Sequence, residues 1–398
     1  RMRFFKKANL GTAWLLILFA IKIVAGFFYG WFYSQPQYRT YSDSWNFFEL
    51  SKTETDWLIK NPAAFIQDLF SFGYEKSGNL FLGKDSYWND LKTNIIIKFL
   101  AICNVFTGKG YYANMIIFNF LYFFGCTAFY KVFDELSNAK KIFKIAVVFC
   151  IPSFLFWCSG LHKDGFIFLF FSLIIYHTYK QLKAGRLLTS SLVITILSAI
   201  VLFGLRNFMV ILLVPAIAVW AIAIKFPAWK WKAILAIYGA GIIFSFASVF
   251  ISADKNVPVY IVNKQAEFKQ LPGNSQITLP ELEPTFTGFI KFFPYATDIA
   301  FLRPHPNDIK NKSYIPAVAE ILALWLLVIF IFFKRNKNKP GNMQTAFALF
   351  CLCFCTSYLL LAGYTVTFSG SIVRYRAMIL PVLFAGVILI SGFGNKRE

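Results

Sequence analysis

Apolar runs of near bilayer-crossing length recur along this chain from residue 10 to residue 394, and lysine or arginine clusters fall between alternate pairs of them. A stretch of about twenty apolar residues spans a hydrocarbon core as a helix. At 58% hydrophobic and 20% aromatic over 398 residues, the chain holds more apolar surface than a water-soluble domain can bury. The reading is an all-α polytopic membrane protein, with residues 1–398 forming one transmembrane domain.

Ten runs are expected to span, roughly 10–33, 110–130, 144–160, 165–180, 187–205, 207–224, 233–251, 316–333, 345–362 and 376–394. The first follows "RMRFFKK" with no small-residue cleavage site after it, which favours a retained span over a signal peptide. With the N-terminus inside, the inner segments collect Arg3, Lys6, Lys7, Lys131, Lys180, Lys225, Lys334, Lys396 and Arg397, with few acids among them. The positive-inside rule therefore puts both termini in the cytoplasm, and the richness in phenylalanine, lysine and isoleucine points to a bacterial inner membrane. The net charge of +21 is spread over these loops and forms no basic face, which excludes a nucleic-acid partner.

Residues 94–107 are apolar but short, and spanning them would put "KRNKNK" outside. They and "NPAAFIQDLFSF" are expected to be interfacial helices within a large extracytoplasmic loop, 34–109. A second such loop covers 252–315. Both are rich in aromatic residues, which argues against disorder and for a functional role. The seven cysteines lie mostly inside apolar runs. In "CLCFC" only Cys351 and Cys355 share a helical face, so neither a metal centre nor a disulfide framework is indicated.

With the sides assigned, the charged residues near the membrane gather outside. "YSDSWNFFE" brings Asp43 and Glu49 just after the first span. "SGLHKDG" brings His162, Lys163 and Asp164. Arg206 joins two spans, Arg303 precedes the eighth, and Arg374 and Arg376 open the last. Glu320 lies a turn inside the eighth span and Lys22 sits in the middle of the first, where each is a candidate partner for the other. Charges at such depth are costly unless paired or facing a polar cavity, and so mark functional sites.

Guanidinium and ammonium groups beside a membrane suit a phosphate or diphosphate carried on a lipid tail. A carboxylate among them suits a general base, with Asp43 first and Glu49 second. "HKD" leaves three readings open. It is a solvated turn with Lys163 and Asp164 paired, or Lys163 is a phosphate ligand helped by His162, or His162 and Asp164 bind a metal with His305 and Asp308. Asp85 and Asp90 are a further option for a divalent ion. No cofactor is otherwise indicated.

The order of "SDSWNFFELSK", "PSFLFWCSGLHKDGFI" and "VRYRAMILPVLF" around these spans resembles the GT-C superfamily of polytopic glycosyltransferases. That resemblance implies a polyprenyl-phosphate-linked sugar donor used on the extracytoplasmic side, with Asp43 as base. It implies Lys163, Arg374 and Arg376 at the donor phosphate; the charges gathered outside add Arg206 and Arg303 to that set, with His162, Asp164, Tyr375, Glu320 and Lys22 in support. The acceptor is a glycan, a lipid or a protein. O-antigen polymerase-type proteins are similar as well, with outer arginines holding diphosphate-linked glycans. A transporter and a non-enzymatic subunit docking membrane-protein partners are the readings outside catalysis.

Overall fold

A computed structural model describes residues 3–40, 42–70, 87–252, 256–271, 275–309, 312–335 and 340–394. The fold is helical, and among the described residues the only β-type pairing is an isolated bridge between Gln276 and Phe368. In chain order the principal helices are α1 (Thr12–Ser34), α2 (Asp43–Lys60), α3 (Tyr87–Thr107), α4 (Tyr111–Leu136), α5 (Lys141–Phe149) and α6 (Pro152–Trp157). There follow α7 (Lys163–Ala184), α8 (Thr189–Leu205), α9 (Asn207–Lys225), α10 (Lys230–Ala247) and α11 (Val257–Lys269). The chain closes with α12 (Phe286–Thr297), α13 (Ile315–Phe333), α14 (Asn342–Thr365), α15 (Ser369–Ala377) and α16 (Leu380–Ser391).

Six helical segments among the described residues are long and apolar enough to cross a membrane, or seven if the bent pair α15 and α16 is counted as one span. The six are α1, α4, α9, the segment Pro227–Phe250 that contains α10, α13 and α14. Four of the ten expected runs differ. The run at 144–160 breaks into α5 and α6, of nine and six residues, each far short of a crossing. The break falls just before Pro152, whose ring disfavours helical backbone in the residue ahead of it. The last run bends by 60° between α15 and α16. The run at 187–205 becomes a helix of seventeen residues, α8. The run at 165–180 extends into α7, twenty-two residues long, apolar and buried around most of its circumference as a central helix must be.

The chain divides into two compact units. Unit 1 comprises residues 1–132 and 154–210, and unit 2 comprises residues 133–153 and 211–398.

In unit 1 the first interhelical loop holds a tightly made helix pair. On α2 the buried residues Ser44, Phe48, Ser51 and Thr55 repeat at helical spacing and so form one face. That face meets α3, where the Asn104 amide donates to Ser51 Oγ (2.9 Å) and Thr55 Oγ1 (3.0 Å) and accepts from Asn114 of α4 (2.6 Å). Lys98 Nζ sits 2.9 Å from both Glu54 and Asp68, over the rings of Trp57 and Phe65. Helix α3 begins at Tyr87, ahead of the apolar stretch 94–107, and runs to twenty-one residues. Its polar residues, an expense in an isolated apolar helix, are satisfied by α2. Of the two interfacial helices expected in this loop, the one around "NPAAFIQDLF" is short, Pro62–Gln67 with a 3-10 turn to Phe70.

In unit 2, α14 is the buried centre. Gly363 lets Ala296 of the α12 end approach so closely that a Cβ at that glycine would lie 2.1 Å from the Ala296 carbonyl oxygen. Gly386 of α16 makes a similar approach to Cys351, where a Cβ would lie 2.8 Å from the Cys351 Cβ. Cys351 of "CLCFC" therefore packs against α16, and no disulfide joins the seven cysteines.

Candidate functional site

The start of α2 is built as a rigid platform. Ser42 caps the helix by accepting from the Trp45 backbone N–H, and Asp43 occupies the first turn, where the helix dipole favours a carboxylate. Trp45 fixes this end to the rest of unit 1. Its indole N–H donates to the Gly30 carbonyl of α1 (3.1 Å), and its ring stacks on Tyr111 of α4 with centroids 3.8 Å apart and planes 9° from parallel. Ser44 and Tyr111 share a short hydroxyl hydrogen bond. Asp43 itself is exposed.

Arg39 lies over the outer face of Trp45, 4.1 Å from the ring, and pairs with Glu49 (3.0 Å). Lys52 also pairs with Glu49 (2.7 Å). Glu49, expected as a second acid, is thus an exposed carboxylate held between two cations, a kind of pair that contributes little to stability. Arg39 and Trp45 were not singled out from the sequence, although both lie within a few residues of Asp43.

The "HKD" turn is placed by the same helices. Asn119 of α4 donates to the Ser159 carbonyl (2.9 Å), and Tyr122 donates to the His162 carbonyl (2.7 Å). Gly165 is required here because a Cβ would run into the Tyr122 ring at 2.4 Å. His162 caps α7, its Nδ1 accepting from the Asp164 backbone N–H (3.2 Å), and its ring packs against Tyr29 of α1. Asp164 and His162 are fully buried. The Asp164 carboxylate accepts from the Arg206 guanidinium (3.2 Å) and lies 3.5 Å from His162 Nδ1.

This corrects the solvated-turn reading: the partner of Asp164 is Arg206, forty-two residues away, rather than Lys163. Arg206, expected at a donor phosphate, is 6% exposed and committed to that ion pair. Lys163 stands at the first position of α7, half-buried. The guess that Lys22 pairs with Glu320 is also corrected. Lys22 donates to the Cys158 carbonyl (2.6 Å) and Ser159 Oγ (3.1 Å), just before the "HKD" turn, and lies above the rings of Tyr122 and Phe154.

Unit 2 holds the remaining candidates. Arg303 donates through Nε to Asp298 and through a terminal nitrogen to Asp308, both at 2.9 Å. His305 Nε2 lies 2.9 Å from Asp298. Two carboxylates on one guanidinium leave little positive potential there for a phosphate. The spacing of five residues on either side of Arg303 was the available signal, and Asp298 was missed. Arg376 is 4% exposed and donates to the carbonyls of Arg303 (2.7 Å) and Ala300 (3.4 Å), so it ties α15 to the segment after α12. Arg374 and Tyr375 are half-buried on α15. Glu320 accepts from the Ser153 backbone N–H (2.8 Å).

Among the described residues no three His, Cys, Asp or Glu side chains are grouped so as to hold a metal ion. Asp85 lies outside the described residues, as do Lys396 and Arg397. Asp90 is half-buried on α3, and burial followed by the nearby Asp68 pushes its carboxyl above the usual range.

These features describe an all-helical chain with several helices fit to cross a membrane. Comparison with protein-family models, with curated proteins and with solved structures finds no match.

Proposed function

We propose that the chain is a membrane glycosyltransferase that moves a sugar from a polyprenyl-phosphate-linked or diphosphate-linked donor to an acceptor on the extracytoplasmic side. The observation that carries this is the setting of Asp43. It is an exposed carboxylate in the first turn of a helix that begins nine residues after the first candidate span ends, and that helix is held by Trp45 against α1 and α4. A group fixed at that depth reaches both a lipid headgroup and an acceptor arriving from water.

In the reaction the acceptor hydroxyl oxygen attacks the anomeric carbon while Asp43 takes its proton. The bond between the anomeric carbon and the phosphate oxygen breaks, and polyprenyl phosphate or diphosphate leaves with the electron pair. Cations at the donor stabilise the growing charge. Lys163, at the first position of α7, takes that role. Direct displacement with one base inverts the anomeric centre.

Asp43→Asn keeps the shape and the helix start while removing the base. In proteoliposomes supplied with labelled polyprenyl-linked sugars, the variant is expected to release polyprenyl phosphate at least 10²-fold more slowly at unchanged thermal stability. Full release by the variant contradicts the assignment. Uptake of intact donor or sugar with no covalent change would identify a transporter instead.

A further inference from the structure

The far end of α7 carries charges of a different kind. Roughly 20 Å along the helix from Lys163, at about 1.5 Å per residue, α7 presents Tyr176, His177 and Lys180. Lys131 of α4 reaches the same place. Its ammonium lies 3.3 Å from the Phe4 ring centroid and 5.2 Å from that of Tyr176, while Lys180 lies 5.6 Å from Tyr176. Lys131 is 8% exposed, and its Nζ is fully buried without an oxygen to accept from it.

The charged neighbours of Lys131 are Lys7 and Lys180, both exposed and both cationic. The buried His177 bonds Ser191 and has the same lysines, Lys180 and Lys131, beside it. Among the described residues no ion pair involves Lys7, Lys131 or Lys180. Of the two acids one turn further along α4, Asp134 is paired with Lys144 and Glu135 is exposed.

Aromatic faces offset part of the cost of a desolvated ammonium. They do nothing for the mutual repulsion of three cations, which an anion relieves. We infer that this end of unit 1 is a binding site for a phosphate group, touched by the exposed ammoniums of Lys7 and Lys180 and held by the field of the buried Lys131. A basic pocket between helices at a membrane surface takes an anionic phospholipid headgroup, and the same chemistry would accept a free phosphate.

The test uses the delipidated full-length protein in neutral detergent at low salt, titrated separately with dioctanoyl phosphatidylglycerol and with inorganic phosphate. Binding is read by native mass spectrometry and by the shift in thermal unfolding. Saturable binding of the lipid identifies a headgroup site, and saturable binding of phosphate alone identifies a soluble anion. Lys7→Gln and Lys180→Gln, both at exposed positions, should each weaken the binding roughly fivefold. Binding of neither probe overturns the inference, as does equal affinity in the wild type and the double variant.

Discussion

The two ends of unit 1 handle charge in opposite ways. At the His162 end, Asp164 and Arg206 are buried as a pair and the His162 ring closes over the carboxylate. At the Lys131 end, the buried charge is a single ammonium enclosed by aromatic rings, with more lysines beside it and, among the described residues, no ion pair to an acid. The first arrangement is complete within the protein and serves to hold a turn in place. The second is complete only with an anion from outside. Positive charge near a membrane is therefore a poor guide to function until its partners are known, since the same residue types form a structural clamp at one end and a candidate binding surface at the other.

The largest effect that would break this contrast lies in the clamp. Arg206→Met alone removes the guanidinium from the buried Asp164 carboxylate, with an expected loss of about 3–5 kcal/mol. The double variant Asp164→Leu with Arg206→Met should recover most of that loss, which reversible unfolding in mixed micelles can measure. A double variant as unstable as the single one would mean that the pair is not what holds the turn.

A smaller effect is expected at the other end. Lys131→Met loses a cation–π contact of about 1–2 kcal/mol and removes a buried ammonium that has no oxygen acceptor. The two terms oppose, so its unfolding should differ from the wild type by less than about 1 kcal/mol in the absence of anions. A loss as large as that of Arg206→Met would show that Lys131 is a structural clamp too. The smallest change is expected for Lys7→Gln, an exposed position where stability should stay within about 0.5 kcal/mol. Its effect should appear only in anion binding.

Much of the helical frame is legible in the sequence. The runs 10–33, 207–224, 316–333 and 345–362 reappear as α1, α9, α13 and α14 with ends shifted by three residues or fewer, because hydropathy and flanking lysines act locally. The failures have nonlocal or backbone causes. Pro152 interrupts a run that hydropathy alone reads as continuous. On α3, Asn104 and Lys98 find partners on α2, which no window of the sequence reveals.

The candidate site divides in the same way. Asp43 stands out as a candidate from its place after the first span, and Lys163 from its place between two apolar runs. The pairing of Asp164 with Arg206 could not, since forty-two residues separate them. Nor could the commitments of Arg303 to two aspartates and of Arg376 to backbone carbonyls, which take both arginines out of the expected phosphate set.

The most direct test is to assay Asp43→Asn and Lys131→Met side by side for release of polyprenyl phosphate from a labelled lipid-linked sugar, with unfolding measured on the same preparations. The account predicts that Asp43→Asn loses at least 10²-fold in rate with its stability intact, whereas Lys131→Met retains most of its rate. Release that survives in Asp43→Asn and is abolished in Lys131→Met would contradict it.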